Sequence, residues 1–395
     1  MDALTTPLPK DWEVKTFRDI STINQGLQIP ISQRLKAPTE HAKSYITIQA
    51  LNNRKEFEYI KTYNESVVCH KDDILMTRTG NTGMVITNIE GVFHNNFFKI
   101  NFDRTLINKD FLVYFLSLEQ TQKTILRKAG TSTIPDLNHN DFYSLSIPLP
   151  PLNEQIAIAN ILSDVDRYLY SLDTLILKKE SVKKALSFEL LSQRKRLKGF
   201  NQAWQRVRLG TYKYRRGSFP QPYGNPQWYS DNGMPFVQVY DVGENFKLTQ
   251  KTKQKISKIA QPMSVFVPKN SVIITLQGTI GRVALTQYDC YCDRTILIFD
   301  NNTLNDVNKY FFVLSLFTKF EEEKRKADGS IIKTITKQTL KDFEILLPSL
   351  NEQIAIANIL SALDNEIISL KNKKRQFENI KRALNHDLMS AKIRV

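Results

Sequence analysis

Apolar residues recur at steps of three and four along two long segments of the chain, which is the spacing of a buried helix face. In the first segment they are Ile158, Leu162, Val165, Leu169 and Leu172, and in the second Ile356, Leu360, Leu363, Ile367 and Leu370. After a more polar stretch the pattern resumes at Val182, Leu186 and Leu190, and at Ile380, Leu384 and Leu388. Neither face is stable in water, so the pattern predicts two long helices that pack together as a coiled coil.

The two segments open on the same twelve residues, LNEQIAIANILS, at 152–163 and again at 350–361. An unchanged repeat at this distance indicates a duplicated half-chain and not an array of short units. Prolines precede both copies, and Asn153 and Asn351 are predicted to cap the helices. Either segment alone is compatible with an ordinary amphipathic helix on a domain surface. Two copies in one register favour the coiled coil.

Short apolar runs between polar turns predict a mixed fold before each long helix. We expect strands at 45–49, 74–78, 84–87 and 97–100, and a helix at 109–118. The second half repeats these features at the spacing of the dodecapeptides: 272–277 matches 74–79, 295–298 matches 97–100, and Gly278 and Gly281 match Gly80 and Gly83. The predicted fold is therefore α+β, with two duplicated globular domains (1–150 and 199–348) separated by two long antiparallel coiled-coil helices (151–198 and 349–395) in a pseudo-twofold arrangement.

The positive charge of the chain is a clue to the kind of ligand that this fold binds. The formal net charge is +15 at pH 7, and clustered Lys and Arg attract phosphate and release counterions. No Asp or Glu occurs from 190 to 230, and aromatic residues are interleaved with the basic ones there. The segment is typical of nucleic-acid binding, although a solvated charged face is an equal alternative. The predicted phosphate contacts are Arg206, Arg208, Lys213, Arg215 and Arg216.

The duplicated halves match in their apolar strands but differ in polar residues at the strand ends. His94-Asn95-Asn96 is replaced by Cys292-Asp293-Arg294, and Asn81-Thr82 by Thr279-Ile280. Polar side chains at such tips could contact base edges, although any of them could also cap a turn or face solvent. The predicted DNA contacts are Arg78, Asn81, Thr82, Asn95 and Asn96 in the first half, and Gln277, Thr279, Arg282 and Arg294 in the second.

The sequence lacks the motifs of several classes of enzyme and of metal-binding protein. Asn225-Pro226-Gln227-Trp228 lacks the second proline of an adenine methyltransferase motif, and neither a glycine-rich cofactor fingerprint nor a P-loop is present. Cys69, Cys290 and Cys292 are too few and too scattered for a disulfide framework or a typical metal site. We expect no cofactor, no metal and no catalytic residues. Since the chain has no secretion signal or apolar run of membrane-spanning length, we expect a cytoplasmic location.

One known family combines these features. The glycine-Ser/Thr turn at 130–133, the apolar strand after it, PLPPLNEQIAIANIL at 148–162 and the long helix, all repeated, resemble the specificity subunit of type I restriction-modification systems. DILMTRTGNTG at 73–83 also resembles the family. The resemblance implies two target-recognition domains, each reading one half of a bipartite asymmetric double-stranded DNA site, in a subunit with no catalytic activity of its own.

The resemblance also implies partners. The helices would hold the domains apart and bind modification (methyltransferase) subunits, through which restriction subunits would join. Because the helix starts are identical, we expect two identical modification subunits. The predicted partner contacts are Asn153, Glu154, Gln155, Asn351, Glu352 and Gln353.

Two hypotheses from other classes remain open. A site-specific DNA methyltransferase with degenerate motifs would bind S-adenosylmethionine and label DNA alone. A coiled-coil scaffold would join proteins and bind DNA with no dependence on sequence.

Overall fold

The computed structural model describes residues 8–52, 58–278, 280–326 and 337–395. Thr279 and the repeat of the glycine-Ser/Thr turn at 327–332 lie outside this part of the chain. The chain divides into two compact units, the first formed by Met1–Leu175 with Leu370–Val395 and the second by Ile176–Ser369. Each unit therefore contains one globular domain and portions of both long helices.

Ten strands and five short helices are described for the globular domain of the first unit. The strands are β1 (Glu13–Thr16), β2 (Ser21–Gln25), β3 (Lys43–Ile46), β4 (Glu58–Ile60), β5 (Val68–Cys69), β6 (Ile74–Thr77), β7 (Val85–Ile86), β8 (Gly91–Phe93), β9 (Phe97–Phe102) and β10 (Ser146–Leu149). The helices are α1 (Phe17–Ile20), α2 (Ile48–Asn52), α3 (Lys109–Leu116), α4 (Glu119–Ala129) and α5 (His139–Tyr143). The strands predicted at 74–78, 84–87 and 97–100 are confirmed as β6, β7 and β9, and the helix predicted at 109–118 is confirmed as α3. The strand predicted at 45–49 ends earlier, because the chain turns into α2.

The described strands of the first unit pair as β1-β10, β2-β9-β6-β7 and β4-β3-β8-β5. The β3–β8 pair is parallel. Side chains alternate across a strand, so Ile74 and Met76 enter the core shared with α3 and α5, whereas Leu75 enters the core of the β4-β3-β8-β5 sheet. This explains why β6 is buried on both faces and reads as an unbroken apolar run.

The second unit repeats this topology. Its strands are β11 (Gln205–Arg208), β12 (Tyr214–Arg216), β13 (Tyr229–Val237), β14 (Gln254–Ile256), β15 (Val265–Val267), β16 (Val272–Thr275), β17 (Val283–Leu285), β18 (Cys290–Cys292), β19 (Ile296–Phe299) and β20 (Glu344–Leu347). They pair as β11-β20, β12-β19-β16-β17 and β14-β13-β18-β15, with β13–β18 parallel. The described parts of its globular helices are α7 (Lys309–Lys326) and α8 (Lys337–Asp342). Because both the strand order and the parallel pairing of equivalent strands are reproduced, the predicted duplication is confirmed.

The two long helices are α6 (Leu152–Leu191) and α9 (Leu350–Met389), each of 40 residues and so about 60 Å long. In the first unit, Lys374 Nζ lies 2.7 Å from Asp173 Oδ1, and Lys381 pairs with Asp166. The higher-numbered residue of α6 in these two pairs thus contacts the lower-numbered residue of α9. The two segments are antiparallel, as predicted.

The second unit shows the same antiparallel pairing between the other portions of these helices. Lys179 Nζ lies 2.7 Å from Glu366 Oε1, and Lys183 pairs with Asp364. Within each unit, therefore, the start of one long helix packs beside the end of the other.

The apolar seam is also part of the globular cores. Ile158 and Leu162 share a core with Leu388 in the first unit, as Ile356 and Leu360 do with Leu190 in the second. The prediction of a buried seam position is wrong for two residues, since Val182 is 44% exposed and Ile380 is 43% exposed.

The predicted caps Asn153 and Asn351 are also wrong, because both lie inside the first helical turn. Pro151 O accepts Gln155 N at 3.0 Å, and Ser349 O accepts Gln353 N at 3.0 Å. The backbone carbonyl just before each helix thus supplies the first acceptor, and the exposed Asn side chains are not needed there.

Candidate nucleic-acid interface

A glycine at the end of β2 lets two backbone segments touch in the first unit. A Cβ added to Gly26 would lie 2.2 Å from Phe93 O and 2.3 Å from His94 O, so only glycine fits without a backbone shift. Gly26 N also donates to Phe97 O at 3.2 Å. We call this the first glycine contact.

The second unit contains the same arrangement at the end of β12. A Cβ on Gly217 would lie 2.2 Å from Cys292 O and 2.3 Å from Asp293 O. Gly217 N donates to Ile296 O at 2.9 Å. This is the second glycine contact.

The two contacts show which residues of the units are equivalent. His94 corresponds to Asp293, and Asn95 corresponds to Arg294. The sequence comparison paired His94 with Cys292 and Asn95 with Asp293, which was wrong by one position. The strand pairing makes Ala284 on β17 equivalent to Ile86 on β7, and Tyr291 on β18 equivalent to Val92 on β8. Six residues lie between Ala284 and Tyr291, but only five lie between Ile86 and Val92. The second unit therefore has one extra residue between these strands.

The hairpin between β6 and β7 uses two of its predicted DNA contacts internally. Arg78 Nη2 lies 2.7 Å from Asp136 Oδ2, and the buried Thr82 donates to Pro135 O at 2.6 Å. These short bonds tie the hairpin to the segment at 135–136. Asn81, at the turn with φ 61°, is exposed. DNA contact by the three residues stays a prediction.

In the equivalent hairpin of the second unit, Arg282 also has internal partners. Its Nη2 lies 2.9 Å from Glu244 Oε1, and its Nη1 donates to Val242 O at 3.2 Å. Gln277 is exposed at the start of the turn.

Arg206 and Arg208 on β11 share one carboxylate. Their guanidinium groups lie 3.2 and 3.3 Å from the Glu344 oxygens and hold the pKa of that carboxyl below its usual value. Because the two arginines are 72% and 69% exposed, this pairing is weak and leaves them accessible to phosphate.

Arg215 and Arg216 lie on the edge strand β12, and Lys213 directly precedes it. Lys213, Arg215 and Arg216 are all exposed. Arg215 Nη2 donates to Phe266 O at 3.2 Å, whereas Arg216 has no ion pair with any described residue. Successive side chains leave a strand on opposite faces, so Arg215 and Arg216 sample different surroundings.

Arg294 is exposed and lies over an aromatic ring. Its guanidinium carbon is 5.3 Å from the centroid of Tyr223, whose hydroxyl donates to the buried Asp293. Burial, followed by the neighbouring carboxylate, raises the pKa of Tyr223, so the hydroxyl remains a donor. The guanidinium therefore rests on a ring that the fold itself holds in place.

Other aromatic residues of the basic segment at 190–230 have a structural role. Phe219 and Phe236 form a small core with Ile256, and Trp228 and Tyr229 pack against it. Their rings stabilise the fold of the second unit, which the sequence pattern did not predict.

Beside the first glycine contact lie amide side chains, two of which sequence reasoning missed. Gln25 Nε2 is 3.4 Å from Asn95 O, and Asn95 Nδ2 is 3.4 Å from Gln28 Oε1. Asn96 N donates to His94 Nδ1 at 3.1 Å. The signal for Gln25 and Gln28 was available, because both lie within two residues of Gly26 in the sequence.

The first LNEQ sequence is held by residues far from it along the chain. The buried Glu154 accepts Trp12 Nε1 at 3.1 Å and Arg394 Nη2 at 2.7 Å. Arg394 also bonds Asp11 Oδ2 at 2.6 Å. Gln155 is buried too and accepts Asn108 N at 2.9 Å, while its Nε2 donates to two backbone carbonyls, those of Leu106 and Pro150.

The second copy is held in the same way. Glu352 Oε1 accepts Arg196 Nε at 2.9 Å, and Gln353 accepts Asn308 N at 2.9 Å and donates to Pro348 O at 2.9 Å. The Glu and Gln of both copies are therefore buried and engaged internally. The partner contacts predicted for Glu154, Gln155, Glu352 and Gln353 stay a prediction, and these internal bonds are a second reason for the repeat of the four residues.

Other residues of the dodecapeptide are exposed. In the first copy they include Asn153, Ile156 and Asn160, at helical spacings of three and four. The second copy exposes the same three positions, Asn351, Ile354 and Asn358. We call each set an exposed dodecapeptide face.

The described residues contain no group of side chains that could hold a metal ion. No three His, Cys, Asp or Glu side chains among them gather as around a metal ion. The three thiols are buried, and burial raises the pKa of Cys69 to about 12 and that of Cys292 well above its usual value. None of the described helices combines the length and apolar character needed to cross a membrane.

Comparison with known proteins supplies the family. The model of the type I restriction modification DNA specificity domain matches residues 9–180 and again residues 217–379. The chain belongs to this family. The two matches include most of each globular domain and the starts of both long helices, which confirms the resemblance and the two target-recognition domains.

Curated members of the family match along the whole chain. The type I restriction enzyme MjaVIII specificity subunit of Methanocaldococcus jannaschii is 25% identical, over 98% of this chain and 94% of its own length. The putative type I restriction enzyme MjaX specificity subunit of the same organism is 26% identical, over 98% and 95%.

Solved structures of the family share the fold. The type I restriction-modification S subunit from M. genitalium is 17% identical, with a TM-score of 0.61 over 97% of this chain and 98% of that one. The HsdS subunit from Thermoanaerobacter tengcongensis is 18% identical, with a TM-score of 0.51 over 98% and 99%.

Proposed function

We propose that this specificity subunit reads a bipartite asymmetric DNA site, one half with each globular domain, and has no catalytic activity itself. The observation that carries the proposal is the pair of glycine contacts. The two units share their strand order, yet their equivalent positions bear different polar side chains, as at Asn95 and Arg294. A common scaffold with different hydrogen-bonding groups suits two different base sequences.

The long helices carry the second part of the proposal. The two exposed dodecapeptide faces are identical and apolar at their centres, where Ile156 is 41% and Ile354 is 38% exposed. Identical surfaces fit identical partners. We therefore place one modification subunit on each face, with restriction subunits joining through them. Asn153 and Asn351 remain predicted contacts, and we expect the complex to act in the cytoplasm, where it meets DNA.

A domain replacement tests DNA reading. The chain is expressed with its modification subunits, and the methylated sequence is mapped across a genome by single-molecule sequencing. Residues 1–150 are then replaced by the equivalent domain of a relative. We expect one half of the methylated site to change and the other half and the spacing to stay.

The reciprocal replacement of 199–348 is the control and should change only the other half. A chimera that alters both halves would contradict independent reading.

The alternatives give different results in simple assays. A methyltransferase would transfer a labelled methyl group from S-adenosylmethionine to DNA with the chain alone. A scaffold would show equal affinity for cognate and shuffled duplexes. We expect neither result.

A further inference from the structure

The two glycine contacts differ in a regular way. The residue before the glycine is Gln25 in the first unit and Arg216 in the second. The residue after the second of the two contacted carbonyls is Asn95 in the first unit and Arg294 in the second. Two amides thus stand where the duplicate has two guanidinium groups.

The backbone makes these positions equivalent. Gln25 on β2 is opposite Phe98 on β9, and Arg216 on β12 is opposite Leu297 on β19, in sheets of the same order. The glycine of each contact allows the close approach that sets the two positions side by side along the backbone.

The amides of the first unit are weakly satisfied by the protein. Gln25 Nε2 to Asn95 O and Asn95 Nδ2 to Gln28 Oε1 are both 3.4 Å, beyond the usual N–H···O range. Asn95 Oδ1 is buried and has no hydrogen-bond partner among the described residues. Arg78 and Thr82, in contrast, have internal partners at 2.7 and 2.6 Å. Gln25 and Asn95 are therefore held less firmly than those two side chains, and Asn95 meets a ligand by turning its buried amide oxygen outward, away from its 3.4 Å contact with Gln28.

The arginines of the second unit are similarly uncommitted. Arg282 pairs with Glu244 at 2.9 Å, whereas neither Arg216 nor Arg294 forms an ion pair within the described part of the chain. Arg294 is exposed and stacked on Tyr223, which limits the freedom that its side chain would lose on binding.

We propose that the glycine contacts are equivalent base-reading positions, at which Gln25 and Asn95 recognise adenine in one half-site and Arg216 and Arg294 recognise guanine in the other. Amide side chains pair with adenine N6 and N7, and guanidinium groups with guanine O6 and N7, in the major groove. The inference rests on the proposed reading of DNA by both globular domains and adds which residues read and which base each pair takes.

The test uses the full chain with its modification subunits and duplexes carrying the mapped site. Each guanine in the half-site of the second unit is replaced in turn by adenine or by 7-deazaguanine, which lacks N7. We expect Arg294→Gln and Arg216→Gln each to lose roughly 5- to 150-fold discrimination at one guanine. At that guanine the variant should also become insensitive to 7-deazaguanine.

Arg215→Gln is the matched control, because it removes the same charge from the opposite face of β12. It should weaken binding to all sequences alike and lower the salt dependence, with base preference unchanged. The same design applies to the first unit, with Asn95→Ala and Gln25→Ala, and 7-deazaadenine in place of adenine. Asn24→Ala is the control, because Asn24 precedes Gln25 on β2 and leaves the opposite face of that strand.

The outcomes separate the two proposals. If the wild-type complex methylates no bipartite site, the proposed function fails. If it does, but the four variants keep every base preference, only the base-reading inference is overturned. A second half-site without guanine, or a first without adenine, would overturn it as well.

Discussion

Gln155 and Gln353 show how one side chain can join a helix to a domain. Each carboxamide oxygen accepts the N–H of the Asn that precedes α3 or α7, at 2.9 Å, and each amide nitrogen donates to the proline carbonyl before its own helix, also at 2.9 Å. Both are almost completely buried. A buried donor or acceptor that loses its partner is not compensated by water.

Gln155→Leu should therefore destabilise the first unit by about 1–3 kcal/mol, because it leaves buried backbone groups unpaired. Gln353→Leu should do the same to the second unit. Urea unfolding followed by hydrogen exchange in each unit measures both effects. Asn153→Ala and Asn351→Ala, at exposed positions of the same turns, are the controls and should change stability by less than about 0.5 kcal/mol. Equal effects of all four changes would contradict this role.

His94 should titrate below its usual range. Burial, and then the neighbouring Arg34, lower its pKa, while its Nδ1 accepts Asn96 N at 3.1 Å. The unfolded chain, with a pKa of about 6.5, therefore binds the proton more readily than the folded one. The resulting stability is complete above about pH 6.5 and is lost as pH falls through the lowered pKa.

Carbon-13 NMR of labelled histidine, assigned with a His94→Gln variant, measures this pKa. The same variant should reduce the acid sensitivity of the first unit. A pKa for His94 above 6.5 would contradict the expectation.

At the scale of elements, the glycine contacts join sheets and loops. Each places the end of an edge strand against the backbone that follows the parallel pair, β3–β8 or β13–β18. A methyl group at Gly217 would lie 2.2 Å from a carbonyl oxygen, so the backbone would have to move.

Gly217→Ala should accordingly destabilise the second unit by about 1–3 kcal/mol. Gly224→Ala in the following loop is the matched control, because a Cβ there meets nothing within 4 Å. It should be neutral, or stabilise by up to about 1 kcal/mol through the unfolded state. Thermal unfolding of the two variants compares them directly, and equal melting temperatures would show that the contact is unimportant.

At the scale of the whole molecule, the exposed dodecapeptide faces distinguish partner docking from internal packing. Internal bonds account for the repeated Glu and Gln, but they do not account for the repeated Ile156 and Ile354, which remain exposed. The proposed docking of a shared partner would account for them.

Native mass spectrometry should find two modification subunits per chain, and one after either Ile156→Asp or Ile354→Asp, since a carboxylate in an apolar interface opposes docking. Leu177→Asp is the control: Leu177 is 64% exposed on α6 and has Arg375 as its counterpart in the second copy. This control should still bind two. A single modification subunit on the wild-type chain at saturation would refute the proposal.

The sequence by itself determined the duplication, the two long helices and the family. These features depend on an unchanged repeat and on local periodicity, which can be read from neighbouring residues. Only the tertiary structure decided the roles of single polar residues. Glu154 was predicted at a partner surface, yet its partners Trp12 and Arg394 come from the two far ends of the described chain. Asn95 corresponds to Arg294 because of one extra residue between β17 and β18, which appears only when the strands pair. The alternation of apolar residues predicts a buried face, but whether a polar group is satisfied depends on contacts between residues that are distant along the chain.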